Sequence, residues 1–269
     1  MEEPMCIIIG VVSQKGGVGK STIARLIARE FASHEWNVKI ADLDIQQGTS
    51  YQWYKRRAAN GITPEVRTEN FSTVKAALKD AQNFDLFILD GAPHATTATK
   101  DIASVADIIL LPTGLAIDDL EPQVLLAHEL VKNGAAADKI AFVLWRVGDS
   151  ETEIGEGRQY ISEAGYRVLD GQVPDRTGYR RASDAGKAVT ETTSKTLNTR
   201  ADTVAQSIID TIKRVKAGEQ HNGEPRTAQT ISQRPAAETT GYDEQPRSAT
   251  GRRQSKNAAH HRSGDQIRV

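Results

Sequence analysis

Short apolar segments alternate with longer segments of helical periodicity along most of the chain. The apolar segments are rich in Ile, Val and Leu and show little polar alternation, as expected for strands that are covered on both faces. They comprise residues 6–12, 37–44, 84–90, 107–113, 140–147 and 167–173. Because strands that alternate with helices form right-handed crossovers, the pattern predicts an α/β fold with a mostly parallel, twisted sheet flanked by helices.

Several of the intervening segments carry apolar residues every three to four positions, which predicts helices with one face on the sheet. The predicted core-facing residues are Ile23, Leu26, Ile27 and Phe31 on the first helix, Leu120, Val124, Leu125 and Leu130 on a later one, and Val204, Ile208, Ile209, Ile212 and Val215 on the last. In such a fold ligands bind at the carboxyl edge of the strands. The residues that follow each strand are therefore the first candidates for a functional site.

The composition changes near residue 217. From residue 218 to the end, large apolar residues almost vanish, and Gly, Pro, Ser, Thr, Gln and Arg replace them. Because such a segment has no core to offset the entropy of ordering, we predict one domain over residues 1–217 and a disordered polar tail over 218–269. The tail is basic from Arg247 onward, which fits a solubilising segment or a weak electrostatic contact with nucleic acid.

Charge and cysteine content exclude several classes of protein. The 34 basic residues are balanced by 35 acidic ones, so the whole molecule is not an obvious polyanion binder. The single cysteine, Cys6, excludes a disulfide framework and a Cys-rich metal site. No apolar run approaches the roughly 18 residues that span a bilayer, and the N-terminal run is too short for a signal peptide. We therefore predict a cytoplasmic protein with no membrane partner.

The stretch SQKGGVGKST, residues 13–22, follows the first predicted strand and opens the first predicted helix. Three glycines, at 16, 17 and 19, would let the backbone wrap closely around phosphate oxygens, where a Cβ would obstruct. Lys20 should reach the β- and γ-phosphates of a nucleotide, and the Ser21 hydroxyl should coordinate Mg²⁺. The stretch is therefore predicted to be a phosphate-binding loop.

The loop departs from the general G-x-x-x-x-G-K-[ST] pattern at its start. That pattern requires glycine at position 14, where this chain has Gln14, followed by a second lysine, Lys15. The departure raises the question of whether the loop is a damaged nucleotide site or one with an additional task.

Carboxylates follow two further predicted strands. Asp90 ends the segment 84–90, at the position of an acid that holds Mg²⁺. Asp42 and Asp44 end the segment 37–44, where a carboxylate can orient or activate the water that attacks the γ-phosphate. Each aspartate taken alone is equally consistent with a helix or turn cap. Their combination at strand ends that should flank the loop favours a nucleotide site.

The segments QKGGVGKST, KIADLDIQQG and LFILDGAP resemble, in this order, the deviant Walker A, switch I and Walker B–switch II motifs of the ParA/MinD ATPases. A fourth segment, VPDRTGYRRASDAGKAV, resembles the part of that family that borders the adenine. The resemblance covers roughly residues 5–215. It is closest to the small ParA-type partition ATPases that lack an N-terminal helix-turn-helix domain, and it implies a P-loop NTPase fold.

This resemblance implies a homodimer that forms on ATP and Mg²⁺. In the family the second lysine of the loop, here Lys15, crosses the dimer interface and contacts the phosphates of the other subunit. By the same carry-over Lys15, Lys20 and Asp44 are catalytic, and Ser21 and Asp90 serve the metal. The implied nucleotide-binding residues are Lys15, Gly16, Gly17, Val18, Gly19, Lys20, Ser21, Thr22, Pro174 and Asp175. Weak ATP hydrolysis, stimulated by a partner protein, is the expected activity.

Two positions depart from the family pattern. Switch II reads Asp-Gly-Ala-Pro-His from Asp90 to His94 rather than Asp-x-Pro-Pro, and His94 is predicted to be a surface or capping residue. Relatives often carry an adenine-reading asparagine near the end of the strand at 140–147, where this chain has Trp145 and Arg146. The adenine contacts therefore rest on Pro174 and Asp175.

Within the family, iron–sulfur relatives need cysteines after the loop, whereas Cys6 precedes it. The C-terminal segment lacks the amphipathic helix by which MinD-like relatives lie on membranes. We therefore predict a ParA-type protein that binds non-specific DNA, associates with the nucleoid and positions a plasmid, chromosome or other cargo with a ParB-like or other stimulating partner. The candidate DNA-binding residues are Arg180, Arg181, Lys187, Arg200, Lys213, Arg214 and Lys216. The alternative is a DNA-independent regulatory or assembly ATPase that acts on a secretion, conjugation or polysaccharide machine.

Overall fold

The structure, a computed structural model, describes residues 6–93 and 96–216. His94, the predicted tail and the side chains of Val215 and Lys216 lie outside these described residues. The strands are β1 (Ile7–Val11), β2 (Val38–Asp42), β3 (Arg67–Asn70), β4 (Leu86–Asp90), β5 (Ile108–Thr113), β6 (Ile140–Val147), β7 (Arg167–Val168) and β8 (Val173–Pro174). The α-helices are α1 (Lys20–Ala32), α2 (Thr49–Ala59), α3 (Val74–Ala81), α4 (Thr96–Val105), α5 (Ile117–Lys132), α6 (Glu151–Glu163), α7 (Thr177–Asp184) and α8 (Lys195–Lys216), with short 3₁₀ turns at Ala137–Lys139 and Val189–Glu191.

The strands form a parallel sheet in the order β3-β2-β4-β1-β5-β6-β7, and β8 pairs with the far end of β6. One core lies between the sheet and α1, α2, α7 and α8. A second core lies on the opposite face, under α3, α4, α5 and α6. The predicted parallel α/β architecture is confirmed. None of the helices within the described residues is long and apolar enough to cross a bilayer.

The sheet differs from the predicted set of strands at two places. The segment 167–173 forms two short strands, β7 and β8, rather than one. The structure also contains β3, which the apolar pattern did not predict. Its sequence, RTEN, is polar because β3 is an edge strand, in which Thr68 is buried while Arg67 and Glu69 are exposed.

The predicted core-facing residues of α1 are all buried, whereas one of those predicted for α5 is not. Leu125 has 46% of its surface exposed, and its neighbour Leu126 is buried instead. At 100° per residue, Leu125 points away from the face that carries Leu120, Val124 and Leu130, so its assignment to the core was wrong. In α8, Val204, Ile208 and Ile212 are buried and Ile209 packs against the same core.

Helix α2 packs tightly against the turn that follows α7, and Gly186 makes this contact possible. Gly186 has φ of 78°, and a Cβ built there would lie 2.4 Å from the backbone nitrogen of Arg57. The Arg57 guanidinium donates to the Gly186 carbonyl and forms two bonds with Glu191. Trp53 Nε1 also donates to the carbonyl of Lys187. These contacts join α2 to the segment 186–191.

We expect Gly186→Ala to lower the free energy of unfolding by about 2 kcal/mol or more, because it adds a clash to an unfavourable φ. Gly134→Ala is the matched control, since Gly134 has φ of 99° but nothing within 4 Å of a built Cβ. The control should lose only the roughly 1 kcal/mol of a left-handed alanine. Urea unfolding of both variants measures the difference, and equal losses would show that the α2 contact contributes nothing.

Candidate nucleotide-binding site

Three neighbouring strands bring the candidate residues to one edge of the sheet. Strand β4 lies between β1 and β2, and its last residue, Asp90, is level with Val11 of β1 and with Asp42 of β2. The glycine-rich loop leaves β1 at this edge and enters α1 at Lys20. The structure therefore brings together the loop and the strand-end carboxylates, which are far apart in the sequence.

The loop has the conformation of an anion cradle. Gly17 and Gly19 have φ of 76° and 106°, and Gly19 is the N-terminal cap of α1 with no side chain to satisfy the first N–H groups of the helix. Those donors are available to an anion. A Cβ at Gly19 would lie 2.3 Å from the Trp145 ring, so the buried indole packs directly against the loop. Sequence reasoning treated Trp145 only as a departure from the family and missed this role.

A cavity of about 170 Å³ lies in front of the loop. Its lining combines the loop with the segments that follow β2 and β4, namely Gly16, Gly17, Gly19, Lys20, Ser21, Thr22, Asp44, Gln47, Thr49, Gly91 and Pro93. Lys20 is only 7% exposed, and its Nζ donates to the carbonyl of Lys15 at 3.0 Å. Burial lowers the pKa of Lys20, while the charges of Asp90 and Asp44 act in the opposite direction. A buried cation thus lies at the base of this cavity.

Asp90 is suited to hold a divalent cation. It is 2% exposed, and burial together with the charge of Asp42 raises its pKa to about 6. Its Oδ2 accepts a hydrogen bond from Ser50 at 2.7 Å, and the nearby Ser21 hydroxyl, like that of Ser50, acts to lower the pKa of this carboxyl. Its Oδ1 is buried and has no hydrogen-bond partner among the described residues. This orphaned oxygen beside the Ser21 hydroxyl fits Mg²⁺, which prefers oxygen ligands and combines one or two carboxylates with phosphates.

The two aspartates at the end of β2 have different environments. Asp42 is buried and accepts hydrogen bonds from the backbone N–H groups of Asp44, Ser50 and Tyr51 at 2.9–3.1 Å. Asp42 therefore caps the first turn of α2. Asp44 is half-buried, accepts from the N–H of Gln47 at 3.1 Å and lines the cavity in front of the loop. Of the two aspartates, Asp44 alone lines that cavity.

The second lysine of the loop is held by helix α5. Lys15 Nζ donates to the Asp119 carboxylate at 2.9 Å and to the carbonyl of Asp118. The side chains of Lys15 and Asp119 are 39% and 35% exposed. Sequence reasoning did not identify Asp119; its only signal was the pair of acids that opens α5.

A second cavity, of about 300 Å³, adjoins the loop on the side of β6 and α7. Its lining includes Gly17, Gly19, Thr22, Trp145, Arg146, Pro174, Asp175, Arg176, Tyr179, Arg180 and Ser183. Arg146 has φ of 58° and occupies an irregularity in the pairing of β6 with β8. Its guanidinium donates to the carbonyl of Gly17 at 2.9 Å and lies 3.5 Å from the Asp175 carboxylate. Such bulges often redirect a side chain towards a site.

The basic residues named as DNA-binding candidates are not equally available. Arg180 pairs with Asp175 at the second cavity, and Arg200 lies 3.3 Å from Asp149, which also pairs with Arg176. Lys213 is 4.0 Å from Asp210. Arg181 and Arg214 are exposed, and Lys187 is half-buried. Of these candidates, Arg180 lines the second cavity beside the loop.

A model of the CobQ/CobB/MinD/ParA nucleotide-binding domain matches residues 9–189, more than half of the chain. The chain belongs to this family. The matched range contains the loop, the three strand-end aspartates, and Pro174 and Asp175. The resemblance noted in the sequence is confirmed.

Individual relatives are distant. The maintenance of carboxysome distribution protein A of Gloeobacter kilaueensis is 25% identical over 184 residues, which cover 68% of this chain and 83% of that protein. The Mg-ADP complex of MinD from Pyrococcus horikoshii has a TM-score of 0.61 and 16% identity, covering 76% of this chain and 96% of that one. An ATP complex of McdA from Cyanothece has a TM-score of 0.57 and 15% identity, with the same coverage. These two structures show that the fold is shared.

Proposed function

We propose that the protein is a ParA-type ATPase that dimerises on ATP, binds DNA without sequence preference and positions a plasmid, chromosome or other large cargo. Hydrolysis resets the switch. The observation that carries the ATPase part is the cavity lined jointly by the loop, by Asp44 and by the segment after Asp90. The positioning part is supported by the name of the Gloeobacter relative, which maintains carboxysome distribution.

The proposed chemistry assigns one task to each side chain. The loop N–H groups and Lys20 bind the phosphates, and Pro174 and Asp175 border the nucleoside. Ser21 and Asp90 hold Mg²⁺, which neutralises charge on the phosphates when bound. Asp44 accepts a hydrogen bond from the attacking water and orients it towards the γ-phosphate.

The environment of Lys15 supports an exchangeable role at a dimer interface. Its ion pair with Asp119 is more than one-third exposed on both sides, and exposed pairs contribute about 1 kcal/mol or less. Releasing Lys15 from α5 therefore costs little. A released Lys15 can add positive charge to phosphates bound by a second copy of the chain, as an arginine finger does elsewhere.

We expect Lys15→Ala to leave the monomer folded but to weaken ATP-driven dimerisation by tenfold or more, because the variant loses a charge-assisted contact across the interface, about 1.4 kcal/mol or more. Sedimentation with ATP and with ADP measures the effect. Lys55→Ala, which removes an exposed lysine of α2, is the control. A full-strength ATP dimer in Lys15→Ala would refute the cross-subunit role.

DNA binding is tested by retention on non-specific DNA at low salt. The ATP-loaded protein should be retained, the nucleotide-free protein and Lys20→Ala should not, and retention should fall steeply with salt. The alternative, a DNA-independent regulatory or assembly ATPase, predicts no such retention. ATP-loaded protein with no more DNA affinity than the nucleotide-free form would establish that alternative. In that case the expected partner is a component of the assembled machine and not a ParB-like protein.

A further inference from the structure

A chain of hydrogen bonds runs through the interior from Asp90 to the second cavity. Ser50 Oγ donates to Asp90 Oδ2 at 2.7 Å. Ser50 Oγ also accepts a hydrogen bond from Arg25 Nε at 3.3 Å. Arg25 Nη1 in turn donates to Ser183 Oγ at 3.2 Å. Ser183 lies on α7 and lines the cavity of about 300 Å³. Three helices, α1, α2 and α7, thus meet on one guanidinium.

Arg25 is a charged residue in a buried position. It is 3% exposed, and its Nη2 has no hydrogen-bond partner among the described residues. Burial lowers its pKa to about 10, so it remains a cation at neutral pH. Since burying a charge costs several kcal/mol unless it is well compensated, an apolar side chain would satisfy packing alone with less penalty. The guanidinium therefore requires an explanation other than space filling.

The geometry explains what a guanidinium can do here. Its fork is planar and rigid, so its bonds to Ser50 and Ser183 have fixed relative directions. The backbone N–H of Ser50 is already held by Asp42, which leaves the hydroxyl as the part of Ser50 that can turn. That hydroxyl occupies Oδ2 of Asp90 and leaves Oδ1 available. Ser50 therefore connects the Arg25 guanidinium, and through it Ser183, with the Asp90 carboxylate.

We propose that Arg25 is a positioning residue that couples occupancy of the nucleoside cavity, through Ser183 and Ser50, to metal binding at Asp90. The proposal rests on the function proposed above. Its consequence is that the nucleoside part of the ligand and Mg²⁺ bind cooperatively, and such coupling is reciprocal. A ligand that carries phosphates but no nucleoside does not engage the relay.

The test compares ADP with pyrophosphate, since ADP fills both cavities without hydrolysis. Calorimetric titration with saturating Mg²⁺ and with EDTA yields, for each ligand, the factor by which Mg²⁺ tightens binding. In the wild type the factor should be larger for ADP than for pyrophosphate. Ser183→Ala should lower the ADP factor by about fivefold or more and leave the pyrophosphate factor unchanged. Thr177→Ala is the matched control, because this α7 hydroxyl accepts from Arg180 and not from Arg25.

Arg25→Lys supplies a second, independent variant that keeps the charge but loses the fork. It should lower the ADP factor as Ser183→Ala does, and the double variant should lower it no further. Normal ADP factors in both single variants, with ADP still bound, would overturn the relay and leave the proposed function intact. Absence of ADP binding by the wild type would overturn both proposals.

Discussion

Replacing Lys20 with alanine is expected to raise the dissociation constant for ATP by about a hundredfold or more. Lys20 is buried at the base of the cavity in front of the loop, close to Asp90 and Asp44. Truncating one partner of a buried, hydrogen-bonded charge pair typically costs about 2–5 kcal/mol. Here the effect is enlarged because the two carboxylates would face the phosphates without a cation between them. Titration of a fluorescent ATP analogue measures the loss.

The control for Lys20→Ala is Lys39→Ala. Lys39 is also 7% exposed, but it pairs with Glu69 and Asp80 on another part of the sheet. Lys39→Ala should lower the free energy of unfolding and leave the ATP dissociation constant within about twofold of the wild type. Equal affinities in Lys20→Ala and in the wild type would exclude this loop as the phosphate site. Circular dichroism of both variants verifies that each remains folded.

Asp44→Ala is expected to lower the rate of ATP turnover by about 10²–10⁴-fold while nucleotide binding persists. The reason is that Asp44, two residues after β2, lines the cavity, whereas Asp42 at the end of β2 accepts hydrogen bonds from three backbone N–H groups. An ATP-bound dimer should accumulate in this variant. Phosphate release and sedimentation with ATP measure the two effects.

Two further variants separate charge from structure in this segment. Asp44→Asn retains an oxygen that can accept from the N–H of Gln47, so it should keep the local turn and still lose turnover. Asp42→Asn should instead lower the free energy of unfolding by about 1–3 kcal/mol, because it weakens the bonds to the first turn of α2. Wild-type turnover in Asp44→Ala would remove Asp44 from the proposed mechanism.

The accuracy of the sequence-based strand predictions depended on how far each strand is buried. Central strands such as β4 and β6 are covered on both faces, and their apolar runs were found nearly to their ends. The edge strand β3 was missed because only Thr68 turns inward. Leu125 was wrongly assigned to the core because an apolar residue of a helix is buried only if its side chain points towards the sheet, and that of Leu125 does not.

The sequence by itself determined the fold class and the family and predicted a phosphate-binding loop, because each is expressed in contiguous residues. Buried parallel strands need unbroken apolar runs, and a phosphate loop needs its glycines, Lys20 and Ser21 within a few positions. Only the tertiary structure decided that Asp42 caps α2, where Lys15 is held and how Arg25 connects Ser50 with Ser183. Those relations join residues up to 158 positions apart. They depend on the directions of individual side chains, which the packing of helices on the sheet sets and no local pattern records.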